Sequence, residues 1–283
     1  MNTTATLAII CGEAEHSALI FPTSSALALR VYQALEDPDC NAETATRLIQ
    51  AEPLLSARIV AIANSAAFNR SHVLVSNVRV GITRLGFKMV RMLAMSMVVD
   101  QMDGKSDLAA HQGLAQRLWE HTAHVAALAQ VIARRITHQN PEAAMFAGMV
   151  HEIGGFYLLS RAKDFPGLLE ALSEPLEADE DASAPESGIG RAVLTSLSVP
   201  EPVLAALEVL WSGYLTFPTV TLGDTLLLAD RLAPVRSPLF LECEQGQADI
   251  AASIDMSVGQ GTLSGILAES AEEVASLTAA LRL

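Results

Sequence analysis

Apolar residues recur every three or four positions along most of this chain, which is the spacing of one face of an α-helix. In the first hundred residues this pattern predicts a helix from Ser24 or Ser25 to Pro38, a second helix capped by Asn41, and a third that begins at Pro53. No stretch shows the alternation of apolar and polar residues that is typical of a strand. We therefore predict an all-α fold.

The rest of the chain continues the helical pattern. Four further helical segments are predicted: 108–137, after a polar break at 102–107; 144–159, preceded by Pro141; 190–207, divided at Pro200; and 220–232. The pattern divides the chain into three parts: an arm of uncertain order at 1–21, a helical domain at 22–235 that can subdivide near 103–107, and a C-terminal helical extension at 236–283. Within the C-terminal extension, residues 263–281 form an amphipathic stripe that should pack on the helical domain. Within the helical domain itself, residues 173–188 are expected to form an acidic, solvated loop.

Two polar residues interrupt the most apolar of these segments. The stretch 144–159 is apolar almost all the way round, as expected for a helix buried on every side, yet His151 and Glu152 lie in its middle. In the preceding long helix, the one gap in the apolar stripe is filled by His121, which should therefore face the core. Buried polar groups need partners, so these side chains either bind a metal ion or hydrogen-bond to neighbouring helices.

Charge and cysteine content restrict the class of protein. The net charge is −14, and the 18 lysines and arginines are scattered along the sequence, which argues against a nucleic-acid partner and against binding to acidic membranes. No apolar run approaches the length of a membrane span, and no secretion signal is evident. The three cysteines, at positions 11, 40 and 243, are too far apart in sequence for a zinc knuckle and are expected to be reduced thiols. We expect a cytoplasmic protein.

Two adjacent stretches carry a family resemblance. Residues 51–68, AEPLLSARIVAIANSAAF, and residues 75–99, VSNVRVGITRLGFKMVRMLAMSMVV, resemble the HDOD family. The family's typical motif positions are occupied here by Pro53, Leu55, Asn64, Ser65, Ala66, Phe68, Leu85 and Gly86. Glu52 replaces the usual aspartate before the proline and, as a poorer cap, should loosen the start of the helix. Gly86 should take the left-handed conformation that ends a helix, and Asn64 should bond the backbone at the turn.

The resemblance implies a multi-helix bundle of the HD type and a candidate metal site. HDOD proteins are similar in fold to HD-superfamily phosphohydrolases, whose ligand positions correspond to His121, His151, Glu152 and Asp230. Glu152 stands where the superfamily has aspartate, which lengthens that ligand by a methylene. Leu210 and Trp211 stand where related phosphodiesterases carry a histidine pair, Glu186 replaces another histidine, and no cation is evident for the phosphate.

Several functions are consistent with these residues. The leading hypothesis is a non-catalytic signalling or scaffold module of the HDOD type, with signalling proteins as partners and no cofactor. One alternative is a divergent phosphohydrolase that holds a single divalent ion, Mn, Mg, Fe or Zn, on the four candidate ligands. Another is a sensor of a small ligand such as a nucleotide. In the simplest structural interpretation, His121 is a core histidine that donates to a carbonyl or to Glu152, and Asp224 and Asp230 are exposed.

A methionine-rich segment is also predicted to be structural. Four methionines, Met89, Met92, Met95 and Met97, are expected to fill gaps in the core, although a Met-rich helix can also adapt to the surface of a partner.

Overall fold

The structure is a computed structural model that describes residues 3–16, 25–65, 68–69, 73–102, 112–169, 185–197, 199–216, 219–239, 265, 268, 271–272 and 274–275. These residues form helices and connecting turns, with no strand among them, which confirms the all-α prediction. The helices are α1 (Thr3–His16), α2 (Ser25–Ala34), α3 (Ala42–Gln50), α4 (Pro53–Asn64), α5 (Val78–Leu85), α6 (Phe87–Met102), α7 (Gln112–Ile132), α8 (Pro141–Val150), α9 (Ile153–Arg161), α10 (Pro185–Ser196), α11 (Glu201–Ser212) and α12 (Leu222–Leu232).

Helix α7 lies at the centre of the part of the fold that carries the polar residues. It packs along α8 and against α12, while α4 joins the N-terminal helices to α8. One contiguous cluster of buried side chains extends from Leu7 in α1 to Leu239 after α12. No helix in the described ranges has both the length and the apolar character needed to cross a bilayer.

The N-terminus differs from the sequence expectation. Residues 1–21 were expected to form an arm of uncertain order, but Thr3–His16 is a helix that packs on α10. Its buried residues Leu7, Ile10 and Ala14 are spaced three and four apart, and this stripe is the physical reason that the segment joins the core.

The apolar segment 144–159 is also different, because it forms two helices rather than one. Helix α8 ends at Val150, and α9 begins at Ile153. Between them, Glu152 has φ −95° and ψ 14°, in the bridge region outside the helical range. His151 and Glu152 therefore occupy a turn between two buried helices, where their side chains can project toward neighbouring elements.

Other boundaries differ by smaller amounts. The predicted helix 108–137 is described from Gln112 and widens to a π-helical turn at Ala133–Thr137, which His138 closes with φ 53°. The acidic loop at 173–188 lies mostly outside the described residues, and positions 185–188 belong to α10. The predicted subdivision of the helical domain near 103–107 and most of the predicted tail helix at 263–281 also lie outside the described residues.

The family-like segment agrees with expectation at Asn64 and in part at Gly86. The Asn64 side chain donates to the carbonyl of Val75 and accepts from its amide, each at 2.8 Å. Gly86 has φ 75°, as a helix-ending glycine should, although its ψ of 155° places it in an extended, glycine-only region rather than the left-handed helical one. The loose helix start expected at Glu52 is wrong, because this carboxylate is buried and accepts from the amide of Leu55 at 2.5 Å.

Two further expectations about side chains are wrong. Asp224 is not an exposed helix carboxylate, because it is fully buried and completes a capping box with Thr221 at the start of α12. The methionines of α6 do not all fill the core: Met97 is buried, but Met92 is 53% exposed.

Candidate functional site

Three helices bring the polar residues of the core together. His121 comes from the middle of α7, His151 from the turn after α8, and Asp230 from the last turn of α12. Both histidines are almost completely buried, and Asp230 is partly exposed, with 22% of its side-chain surface accessible. One nitrogen from each imidazole and one carboxylate oxygen all lie within 4.8 Å of one another. The structure therefore contains a His–His–Asp group that could hold a metal ion.

Each imidazole is oriented by a backbone carbonyl. The Nδ1 of His121 lies 2.8 Å from the carbonyl oxygen of Val235, and the Nδ1 of His151 lies 2.7 Å from that of Gly148. Because a carbonyl can only accept, both rings must donate through Nδ1–H. This bond fixes the tautomer and leaves the Nε2 of each ring directed into the cluster, the arrangement typical of metal-binding histidines.

The two Nε2 atoms face each other at a distance that requires a cation. They are 3.1 Å apart, and the Nε2 of His121 is also 3.2 Å from the Oδ1 of Asp230. Two neutral imidazoles that both carry their proton on Nδ1 present only lone pairs to each other. Such a contact is favourable only if a proton or a metal ion lies among these atoms.

The charge distribution accommodates a proton on His121 when no metal is bound. Burial lowers the pKa of His121, but its hydrogen bond to Asp230 and the charges of Glu152 and Asp230 outweigh burial, so this pKa is raised overall. Burial dominates at His151 and lowers its pKa. Burial raises the pKa of Asp230, but the hydrogen bond from His121 lowers it below its ordinary value. In the metal-free protein, His121 therefore holds a proton more readily than His151 does.

The same donor set also fits a divalent metal ion. Two imidazole nitrogens and one carboxylate oxygen are a ligand combination that zinc, iron and manganese use in proteins. Here the carbonyl bonds at Nδ1 hold both rings with free Nε2 lone pairs. The three side chains can therefore hold either a shared proton or a divalent metal ion.

Glu152, the fourth candidate ligand, lies at the edge of this cluster. Its Oε1 is 3.7 Å from the Nε2 of His121, farther than Asp230 or His151. Its Oε2 folds back over Gly155, where an added Cβ would come within 3.0 Å of it. The structure thus groups three of the four predicted residues tightly and leaves the glutamate beside them.

The site includes groups that the sequence did not predict. After α12 the chain crosses the cluster, so that the carbonyl of Val235 bonds His121 and Leu239 approaches Gly155. The guanidinium of Arg236 lies 3.5 Å from the backbone carbonyl of Asp230, and its charge contributes to the lowered pKa of the Asp230 carboxyl. The sequence reasoning did not identify this cation near Asp230. Pro234 signalled the end of α12, but no pattern indicates which carbonyl will turn back onto a histidine.

Leu210 and Trp211, which replace the expected histidine pair, have packing roles. The indole of Trp211 covers Gly190 so closely that an added Cβ would lie 2.8 Å from its Cζ2 atom. The guanidinium of Arg191 lies 5.7 Å from the centre of a Trp211 ring. Leu210 is partly buried against the core. Leu210 and Trp211 therefore stabilise the packing at positions where related phosphodiesterases carry metal-binding histidines.

Comparisons with known proteins concern the family and the fold. The sequence model of the HDOD domain matches residues 21–208, and no curated protein matches the chain. The chain is similar to the MmoQ response regulator from Methylococcus capsulatus str. Bath, with 21% identity, a TM-score of 0.61 and coverage of 89% of this chain and 99% of that one. A second structure, a fragment of the same protein, gives 23% identity, a TM-score of 0.56 and coverage of 86% and 94%.

A further solved structure is described as a candidate metal-dependent phosphohydrolase from Shewanella amazonensis SB2B. It has 20% identity and a TM-score of 0.48, with coverage of 99% of this chain and 100% of that one. At these identities the MmoQ comparisons show a shared fold.

Proposed function

Because the chain belongs to the HDOD domain family, we propose that it is a non-catalytic signal-transduction or scaffold module that acts through contacts with signalling proteins. In this proposal the His–His–Asp group holds α7, α8 and α12 together through a shared proton or one structural metal ion. The partners are proteins of a regulatory system, nucleic acid is not a partner, and the location is the cytoplasm, where the free thiols of Cys11 and Cys40 would stay reduced.

The observation that carries this proposal is how the two imidazoles are used. Both histidines are buried, both Nδ1 atoms are bonded to carbonyls, and both Nε2 atoms point at each other or at Asp230. A catalytic site for a phosphoester would need ligand positions open to substrate, and a two-ion site would also need further imidazoles. Trp211 occupies one position of the histidine pair found in related phosphodiesterases, and its indole packs on Gly190.

A second function is favoured by one specific feature, the proximity of Arg236 to the cluster. In a divergent phosphohydrolase, His121, His151 and Asp230 would hold a single divalent ion, with Glu152 beside them. Such an ion would supply Lewis-acid activation of a phosphoryl oxygen. Arg236, which lies next to Asp230, could orient a phosphate through its guanidinium.

Metal content and turnover distinguish these functions. We would measure the metal content of the purified full-length protein and assay phosphatase and cyclic-dinucleotide phosphodiesterase activity with added manganese. The module predicts no turnover, with at most one tightly bound ion. Turnover that is lost in His151→Ala but kept in His124→Ala would contradict the module and support the enzyme. His124 is a suitable control because it lies on α7 outside the cluster and its Nδ1 bonds the carbonyl of Glu120 in its own helix.

The sensor hypothesis is tested with the same protein. A nucleotide that raises the melting temperature of the wild-type chain, and fails to do so in His151→Ala, would support binding at the cluster.

A further inference from the structure

The basic residues of this acidic chain are not evenly distributed. Residues 53–99 contain six lysines and arginines and no aspartate or glutamate, although the whole chain has a net charge of −14. The interpretation of the cations as scattered is therefore wrong for this segment. It covers α4, α5 and the greater part of α6, which pack on one another.

Part of this segment combines positive charge with exposed aliphatic side chains. Val80 and Arg84 lie one turn apart on the same face of α5, and Val80 is 41% exposed. The guanidinium of Arg84 donates to the carbonyl of Val73 at 3.1 Å, which brings Val73 against this face. Val73 and the adjacent Leu74 are among the most exposed large apolar residues in the described ranges, at 63% and 57%.

Helix α6, which contacts α5, carries the same combination. Helix α6 begins directly after the turn at Gly86, and its exposed Lys88 lies one turn before Met92, which is 53% exposed. We call Val73, Leu74, Val80, Arg84, Lys88 and Met92 the basic corner. Arg79 is left out because it pairs with Glu142 at 3.4 Å.

We propose that the basic corner is the surface through which this module docks a partner protein, and that the docked element is an acidic segment carrying aliphatic side chains. This inference rests on the proposed function, since it names the surface for the protein contacts. Exposed valine, leucine and methionine would lose their contact with water against aliphatic groups of the partner. Lys88 and the accessible part of Arg84 would attract carboxylates and fix the register, and the association should weaken as salt is added.

The composition of the corner favours a protein over nucleic acid. Phosphate backbones are recognised by dense cationic surfaces, and exposed valine and leucine add nothing to that contact. The field of a chain with a net charge of −14 also repels a polyanion at long range, whereas a short acidic segment needs only local complementarity. A second copy of this chain, which also has a net charge of −14, would be repelled in the same way and is therefore a less suitable occupant.

Binding of defined peptides to the full-length protein tests the proposal. The probes are fluorescein-labelled helical peptides in which glutamates flank a leucine stripe, the same peptides with serine in place of leucine, and a DNA duplex, all followed by fluorescence anisotropy. The charge variant is Lys88→Glu, with Arg117→Glu on α7 as an exposed control of equal charge change. The apolar variant is Val80→Ser, with the exposed Val220→Ser as its control. Arg84 is left intact because its bonds to the carbonyls of Ala63 and Val73 support the local structure.

We expect the glutamate–leucine peptides to bind, and Lys88→Glu and Val80→Ser each to weaken binding by about fivefold or more. The two control variants should change it by less than about twofold. The proposal is overturned if none of these peptides binds, if the serine peptides bind equally well, or if the corner and control variants behave alike. Tighter binding of the duplex that depends on Lys88, or self-association abolished by Lys88→Glu, would also overturn it.

These outcomes are independent of the test of the proposed function. Metal-dependent turnover together with peptide binding at the corner would overturn the non-catalytic module and leave the docking surface in place. Absence of both turnover and peptide binding would contradict only the docking proposal and would leave the non-catalytic module in place.

Discussion

At the scale of single residues, Glu52 shows how a substitution within a family motif changes its physical role. A glutamate is a weaker helix cap than the usual aspartate. Here its longer side chain still reaches the amide of Leu55, but the carboxyl becomes buried. Burial raises the pKa of Glu52 from 4.5 to about 7, against the lowering effects of the Leu55 amide and Arg58. Glu52 therefore still caps the helix, but its carboxyl is more easily protonated than that of an exposed glutamate.

This raised pKa predicts a pH dependence of stability. Between pH 4.5 and about 7 the folded protein binds a proton at Glu52 that the unfolded chain has released. The corresponding stability is fully present below pH 4.5 and is lost as the pH rises through about 7, amounting to about 3 kcal/mol. Glu52→Gln removes this titration, so the variant should gain stability relative to wild type between about pH 5 and about pH 8. Urea unfolding at the two pH values measures the difference.

The control for this experiment is Glu43→Gln, at an exposed glutamate in the first turn of α3. Its stability relative to wild type should be nearly independent of pH over the same interval. If Glu52→Gln and Glu43→Gln gave parallel pH profiles, a buried and titrating Glu52 would be excluded.

Asp230 carries the negative charge of the polar cluster, and its removal should destabilise the fold. In Asp230→Asn, the protonated His121 loses its charged partner at 3.2 Å within a buried site. We expect a loss of about 1–3 kcal/mol in the free energy of unfolding, measured with urea in the presence of a chelator. Asp164→Asn is the matched control, because Asp164 pairs with Arg161 at the surface, and its loss should stay within about 0.5 kcal/mol. Equal losses in the two variants would contradict a buried charge pair.

At the scale of helices, the sequence predicted which segments are helical more reliably than where they end. The predicted starts at Asn41 and Pro53 follow from local capping chemistry that lies within a few residues of each boundary. The break at His151 and Glu152 does not: Gly154 and Gly155 beside it lower helix propensity and favour a kink, but they do not fix where the helix divides. It depends on the bond from His151 to the carbonyl of Gly148 and on contacts with α7, which no local pattern encodes.

The crossing of α7 and α8 depends on one glycine. A Cβ at Gly148 would lie 2.7 Å from the Cα of Ala126, so backbone atoms on both helices would have to separate. Gly148→Ala should therefore lower the free energy of unfolding by about 1–3 kcal/mol or more, measured with urea. Because His151 follows Gly148 closely and bonds its carbonyl, the same variant should also weaken any metal binding at the cluster.

Gly12 in α1 provides the opposite case. It lies within a helix, but a Cβ there would meet nothing within 4 Å. Gly12→Ala should be neutral or should stabilise the protein by about 0.5–1 kcal/mol, because only helix propensity changes. A loss in Gly12→Ala as large as that in Gly148→Ala would show that close packing at residue 148 is not the cause.

At the scale of the whole molecule, the candidate site was predictable only through the family resemblance. Composition and periodicity indicated that His121 and His151 are buried, but not that α12 would bring Asp230 to them across more than seventy residues. The resemblance supplied that long-range pairing. It did not supply the carbonyl of Val235 or the position of Arg236, because these depend on the path of the chain after α12.

The family match begins at residue 21, yet the core of the molecule includes the helix that precedes it. On α1, Ile10 is completely buried, whereas the adjacent Ile9 is 54% exposed, and a salt bridge between Arg161 and Glu13 connects the same helix to α9. If α1 is part of the cooperative fold, Ile10→Ala should cost about 2–5 kcal/mol. Ile9→Ala, which changes helix propensity equally, should stay within about 0.5 kcal/mol. Urea unfolding compares them, and two equally small losses would mean that the N-terminus is the loosely held arm that its sequence first suggested.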